Sequence, residues 1–421
     1  MAAVNISSTY PLSRNRASAR SSARFFYLVD AIGRLFEPTQ TQLAALDSSY
    51  RSTGEFLSTC PEFDGLLHEI HAHGSRQLGT LVRPIDESRE GFDVDLIARL
   101  HQAAMRKYGA TNGPTRLLND LFSALERYAK AHGLRIHRWE RCVTLEYAGG
   151  MFADIAPVID EPSLIGPFGS TQGRIPDRKL HRYDPTNPRG YASAYDQAAA
   201  VSPNFTSYHE FSEALKAEAR ADVAPLPAPK EVFDRLLSRL VQLLKLHRNV
   251  AFGAAVEGTD LSPSSVFLTT LAGAAYAIQA PRPHDSPLDL LLDIVDTLPD
   301  HFERTQHPNG SETWSLPNPA APAENLASGM NTAQRQAAFR GWHRRVSDDV
   351  TAIVNAIEES AGMDTLLARL ETAFGPRACR AIRDDQAQRR LGNRQAGHVA
   401  LIPAFGAPVS VIARPHHFFG R

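Results

Sequence analysis

The stretch Gly91–Leu100, GFDVDLIARL, alternates: Phe92, Val94 and Leu96 point one way, and Asp93, Asp95 and Ile97 the other. That is the period of a β-strand, and it sets two carboxylates on one face. Upstream lies His71–Thr80, HAHGSRQLGT, where Gly74 and Ser75 open a turn. Downstream, Arg141–Tyr147 (RCVTLEY) and Met151–Ile159 (MFADIAPVI) are β-rich runs joined around Gly149 and Gly150, a dipeptide suited to a tight hairpin. Asp154 falls inside the second run, between Phe152, Ala153, Ile155 and Ala156. A carboxylate in such company is costly to bury without a cation or a donor.

Outward from these strands the pattern is helical. Phe25–Phe36, Gln42–Leu57 and Thr115–Ala131 carry apolar residues at three- and four-residue steps. The span 166–228 is rich in Pro, Gly and polar residues, with RIPDRKLHRYDPTNPRGY as an ordered loop or short strand and a short helix over Phe211–Arg220. Pro225, Pro227 and Pro229 read as a linker. Helices are expected next over Glu231–His247, Ser264–Ile278, Pro287–Leu298, Thr332–Ser360 and Met363–Phe374. The expected organisation is a flexible basic arm (1–24), a core with N-terminal helices (25–228), a helical C-terminal lobe (229–410) and a tail (411–421). The fold class is α+β with a mixed β-sheet.

Charge argues against one class of partner. The chain has 45 Lys plus Arg against 46 Asp plus Glu, a net charge of −1, and a protein that grips long DNA or RNA usually carries a large basic excess. The most apolar run, Val266–Ile278, is too short and too interrupted to span a bilayer and reads as a buried helix. Cys60, Cys142 and Cys379 are widely spaced, without metal-ligand or disulfide patterning, which fits a reducing cytoplasm.

Asp93, Asp95 and Asp154 together form a hard-oxygen set suited to Mg²⁺, which prefers carboxylates plus substrate phosphates. Two ions about 4 Å apart would stabilise both the attacking and the leaving oxygen of an in-line phosphoryl displacement. The Gly74-Ser75 turn supplies backbone N–H groups and a hydroxyl for a triphosphate. Alone, a D-x-D is also a common solvated edge and Gly-Ser is ordinary turn chemistry. The ordered combination matches the nucleotidyltransferase pattern of the DNA polymerase β superfamily.

Within that superfamily, HGSRQLGTLVRP followed by FDVDLI resembles the G-S-x-x-x-G-T and D-x-D segments of the bacterial CD-NTases, the cyclic-oligonucleotide synthases of CBASS anti-phage systems, relatives of cyclic GMP-AMP synthase and oligoadenylate synthase. VQLLKLHRN resembles their lysine-bearing spine helix, SPSSVFLTTLAGAAY their Ser-Ser helix, and LPNPAAPAEN their N-P...E-N loop. The resemblance implies a bilobal fold, with a polymerase β-like nucleotidyltransferase core beside the helical lobe. It implies a cytoplasmic enzyme that joins nucleoside triphosphates, ATP among them, into a cyclic di- or trinucleotide with release of pyrophosphate. Asp93, Asp95 and Asp154 match the catalytic ligands of two Mg²⁺ ions, with Mn²⁺ as a substitute. Gly74, Ser75, Gln77, Lys245, Ser264 and Ser265 match nucleotide-contacting positions. For Lys245 a snorkelling lysine is the alternative, and for Ser264 and Ser265 helix capping. Pro319, Glu324 and Asn325 read as loop-closing structure, and His71 with His73 as packing residues. The resemblance also implies an accessory protein acting on the enzyme or its C-terminus, a downstream effector that senses the product, and no stable partner in long nucleic acid or membrane. The rivals are a polymer- or protein-directed nucleotidyltransferase and a catalytically dead nucleotide-binding scaffold.

Overall fold

The computed structural model describes residues 17–85, 93–147, 150–222, 235–253, 260–395, 398–401 and 409–412. The proline linker, Gly91, Phe92, Gly149 and the tail from 413 lie outside the described residues. Helices α1 (Ala19–Phe36) and α2 (Gln40–Ser58) come first, then β1 (Leu67–His73), α3 (Gly74–Gln77), β2 (Asp93–Leu100), α4 (Met105–Tyr108) and α5 (Gly113–His132). Strands β3 (Arg135–Arg138), β4 (Val143–Glu146), β5 (Phe152–Asp160), β6 (Gly173–Asp177) and β7 (Arg182–Thr186) complete a seven-stranded sheet. Its path runs β1-β2-β5-β4-β3, with β6 joined to β5 and β7. Only β2 and β5 run parallel in this sheet; every other pair is antiparallel. The sheet is therefore mixed.

Two apolar cores form. One lies between the sheet and helices α2 and α5, and holds Leu57, Val94, Leu96, Leu117, Leu121, Leu125, Leu145 and Ile155. Alternate residues of the strands and one stripe of α5 face each other there. The other core holds the helical lobe: α8 (Leu236–Phe252), α9 (Ser265–Gln279), α10 (Pro287–Thr297), α11 (Ala333–Glu358) and α12 (Met363–Gln395).

Several expectations need correction. The arm does not reach residue 24: α1 starts at Ala19, capped by the Ser18 hydroxyl, and Ser21, Ser22 and Ala23 are buried. Nor does residue 228 separate the two cores. Phe25, Leu28, Ile32 and Phe36 of α1, and Tyr191, Tyr195, Phe211 and Leu215 of α6 (Pro188–Ala199) and α7 (Tyr208–Asp222), belong to the apolar core of the helical lobe. Burial of their apolar faces, not order along the chain, decides lobe membership. The span 173–186, expected as an ordered loop or short strand, is a strand pair, and α6, which was not expected, follows it, started by Pro188 and capped by Asn187. The helix expected to stop at Phe374 continues to Gln395 after a break at Gly375 (φ +83°) and Pro376. Residues 411 and 412, assigned to the tail, lie in a strand pair between His398–Leu401 and Val409–Ile412. No helix among the described residues is long and apolar enough to cross a membrane.

Candidate active site

Strand register assembles the site. In the parallel pair β2·β5, Asp95 stands opposite Asp154, and in the antiparallel pair β1·β2 His73 stands opposite Asp95. The chain leaving β1 at His73 must therefore turn directly over Asp95. Gly74 makes that turn at φ +58°, and a Cβ there would lie 2.0 Å from Asp95 Oδ2. Both the left-handed backbone and the close approach demand glycine.

Crowding of like charge marks the electrostatics. Burial first, and then the Asp154 and Asp93 carboxylates, push the Asp95 carboxyl up to about 6, against the pull of Lys245. Cys142, just before β4, is pushed up to about 12 by burial and then by Asp154 and Asp95, so its thiol borders the same carboxylates. His73 is driven down to about 4 by burial and by neighbouring His71, which fits the packing role expected of it. Asp154 is held from the far side: Thr144, opposite it on β4, donates its hydroxyl to Asp154 Oδ1. The indole N–H of Trp139 donates in turn to Thr144 Oγ1 at 2.8 Å.

The helical lobe grips the turn through one polar stripe. Ser238, Gln242 and Lys245, at steps of four and three along α8, donate to the carbonyls of Leu78 (3.3 Å), Leu81 (3.3 Å) and Thr80 (3.1 Å). Lys245 also donates to Thr80 Oγ1 at 3.0 Å, and the Thr80 N–H reaches back to the Ser75 carbonyl at 2.9 Å. Lys245 is 3 % exposed. Burial, then Arg248, lower its ammonium to about 7, while Asp95 opposes that shift. Arg248, one turn further on, donates to Pro263 O and Ser265 Oγ, both at 3.0 Å, and burial lowers it to about 10.

The expected residues sort by geometry. Gly74, Ser75, Asp93, Asp95 and Asp154 gather where β1, β2 and β5 meet, and Lys245 faces them from α8. Ser265 accepts from Arg248, one turn beyond Lys245, whereas Ser264 uses its hydroxyl as the cap of α9, accepting from Phe267 N–H at 3.3 Å. Gln77 is exposed on α3. Sequence reading missed Thr80, Cys142, Thr144 and Arg248. Thr80 and Arg248 had a signal, since they sit inside the quoted GT and KLHR segments. Thr144 had none, because only strand pairing puts it opposite Asp154. In the N-P...E-N loop, Asn325 accepts from Leu316 N–H and Ala327 N–H, both at 2.9 Å, and Asn318 donates to Glu324 at 2.7 Å. These residues close the loop, as expected.

Residues 30–198 match the family described as the Second Messenger Oligonucleotide or Dinucleotide Synthetase domain. The match supports a bacterial CD-NTase. It is 28 % identical over 312 residues to a c-di-GMP synthase of Roseivirga ehrenbergii, covering 71 % of this chain and 72 % of that one. It is 26 % identical over 362 residues to the cyclic dinucleotide synthase CdnG of Bradyrhizobium diazoefficiens, covering 78 % and 79 %. Among solved structures, the Bradyrhizobium CD-NTase CdnG in complex with GTP is similar at TM-score 0.60 and 22 % identity, over 85 % of this chain and 97 % of that one. The Escherichia coli CdnC:HORMA complex gives 0.51 at 15 % identity, over 83 % and 97 %. The fold is thus that of a CD-NTase, with its nucleotidyltransferase core and helical lobe. The chain is a nucleotidyltransferase, and its named relatives support cyclic-oligonucleotide synthesis.

Proposed function

We propose that this CD-NTase joins two nucleoside triphosphates into a cyclic dinucleotide, with GTP as a substrate, in two rounds that each release pyrophosphate. The observation that carries the site assignment is Asp95 opposite Asp154 in register, with the Gly74 turn folded onto it. GTP is favoured by the two relatives, one named for c-di-GMP and the other solved with GTP.

The chain's own groups divide the work. Gly74 and Ser75 offer backbone N–H and hydroxyl donors to a triphosphate, and Lys245 and Arg248 bring positive charge from α8. Burial, then the like charge of Asp154 and Asp93, drives Asp95 up to about 6, and a divalent cation would relieve that repulsion, so Asp93, Asp95 and Asp154 fit as ligands of Mg²⁺. When bound, such ions polarise the α-phosphate and neutralise charge on the attacking and leaving oxygens. Thr144, with its hydroxyl on Asp154, fixes the orientation of that carboxylate. Positioning and charge, rather than a covalent intermediate, supply the acceleration.

In the cell we assign the product to anti-phage signalling through a separate effector. An accessory protein on the enzyme is supported by the HORMA complex of the CdnC relative. The test is product analysis by mass spectrometry after incubation with each labelled nucleoside triphosphate and Mg²⁺. A phosphatase-resistant cyclic dinucleotide containing guanine, absent after chelation, is expected. A product formed only on an added polymer would favour a polymer-directed enzyme, and no turnover with any substrate would favour a binding scaffold.

A further inference from the structure

At the far end of the same strands stands a second polar cluster. Leu100 and Ile159 are paired in β2·β5, so His101 and Asp160 follow side by side. On β1, Leu67 and Glu69 pair with consecutive residues Leu100 and Arg99, which leaves His68 as the extra residue of a β-bulge. A bulge bends the strand and re-aims a side chain. Here His68 stacks on His101 with ring centroids 4.5 Å apart and planes 17° from parallel, and its Nδ1 lies 3.3 Å from Asp160 Oδ2. Among the described residues, one ligand atom from each of His68, His101 and Asp160 falls within 4.8 Å of the other two.

From this we propose a second metal site, formed by His68, His101 and Asp160 and separate from the catalytic aspartates. Five strand residues, and so six steps, divide Asp95 from His101, about 20 Å at the usual strand rise. Two imidazoles and one carboxylate select a borderline transition cation such as Zn²⁺ over Mg²⁺, which takes oxygen ligands. In a tetrahedral Zn²⁺ site with bonds near 2.0–2.1 Å, neighbouring ligand atoms stand about 3.3 Å apart. The His68–Asp160 spacing already matches one such edge.

Asp160 is already held in place, whereas one of the two exposed imidazoles must turn out of the stack before both ring planes meet at a single ion. Arg99 donates through Nε to Asp160 Oδ1 and through Nη2 to Thr171 O at 3.3 Å. That holds the carboxylate in place and leaves Oδ2 turned to the histidines. The Arg99 charge also weakens cation binding, so the affinity expected is micromolar rather than that of a closed structural site. His68 and His101 are both exposed, so an ion enters from solvent and water completes its coordination. An ion here would tie the start of β1 to the ends of β2 and β5, and so stabilise the sheet that carries the catalytic strands.

The test uses the full chain in excess Mg²⁺, titrated with Zn²⁺ against a chromophoric chelator, with thermal unfolding alongside. One equivalent of Zn²⁺ and a raised melting temperature are expected for the unsubstituted chain and for Asp95→Asn. His68→Asn and His101→Gln, each alone, should weaken Zn²⁺ binding by more than about tenfold and remove the thermal shift, with unchanged melting temperature in chelator. No Zn²⁺ uptake by the unsubstituted chain, or uptake that survives both histidine substitutions, would overturn the site. Loss of uptake in Asp95→Asn would place the ion at the catalytic aspartates instead and equally overturn it.

Discussion

A Cβ on Gly74 would stand 2.0 Å from Asp95 Oδ2, so the turn backbone and the half-buried carboxylate occupy adjoining space with no room between them. Gly74→Ala therefore forces Asp95 aside and puts an L-residue at φ +58°. The left-handed backbone alone costs about 1–2 kcal/mol. Loss of activity should be the larger effect, at least about a hundredfold, because displacement of a reacting group by 1 Å has that consequence. Circular dichroism melting and pyrophosphate release separate the two.

Asp95→Asn should abolish synthesis and yet stabilise the metal-free chain. In the folded state the Asp95 carboxyl keeps its proton up to about pH 6, against an ordinary value of 3.8. Between these values the folded chain binds more protons than the unfolded one, so the stability contribution grows as pH falls. Above pH 6 the charged form is destabilising by about 3 kcal/mol at most, from roughly 1.4 kcal/mol per pH unit. The variant should thus melt several degrees higher than the parent at pH 8 in chelator, with the gap closing toward pH 4. A variant less stable than its parent at pH 8 would contradict the burial of a crowded charge at this position.

Thr144→Val keeps the shape of the side chain and removes the hydroxyl on Asp154. Catalytic turnover should fall about tenfold or more, in line with the loss of a hydrogen-bond partner of a carboxylate proposed to hold a metal ion. Thr144→Ser restores the donor and should recover most of the activity. Equal activity in the valine and serine variants would remove Thr144 from the catalytic arrangement.

Lys245→Met leaves the buried methylene path filled but takes the ammonium from Thr80 and the charge from the site. Steady-state kinetics should show catalytic efficiency lower by about ten- to a hundredfold, mostly through KM for the nucleotide. Lys245→Arg should recover little, since a planar guanidinium does not fit the place of a compact ammonium between two oxygens of one residue. Full activity in Lys245→Met would reduce this residue to a tie between helix and turn.

Much of the fold was legible because its signals are local. Alternation marked β2, three- and four-residue periodicity marked α1, α2, α5 and α8–α11, and Gly150 marked the hairpin between β4 and β5. The three aspartates proposed as catalytic were legible because spacing along a strand fixes the facing of Asp93 and Asp95, and an apolar setting singled out Asp154. α6 was missed because Pro188 and Gly190 read as breakers, although proline is well placed in a first helical turn. The placement of α1 and α7 in the helical lobe could not be read either, since amphipathic faces say that something covers them but not what.

The sequence alone determined residue types, local periodicity and the order of motifs, which suffice for two lobes and three aspartates. Tertiary structure decided what register and packing decide: Asp95 opposite Asp154, Gly74 pressed on Asp95, Thr144 behind Asp154, and Lys245 drawn from a distant helix onto Thr80. It also brought His68, His101 and Asp160 together at the other end of the sheet, through a bulge in β1. The physical reason is range. Backbone sterics and periodic burial act over a few residues and are written in the local sequence, whereas pKa values, metal cages and close approaches depend on contacts between segments far apart along the chain, and only folding brings those into reach.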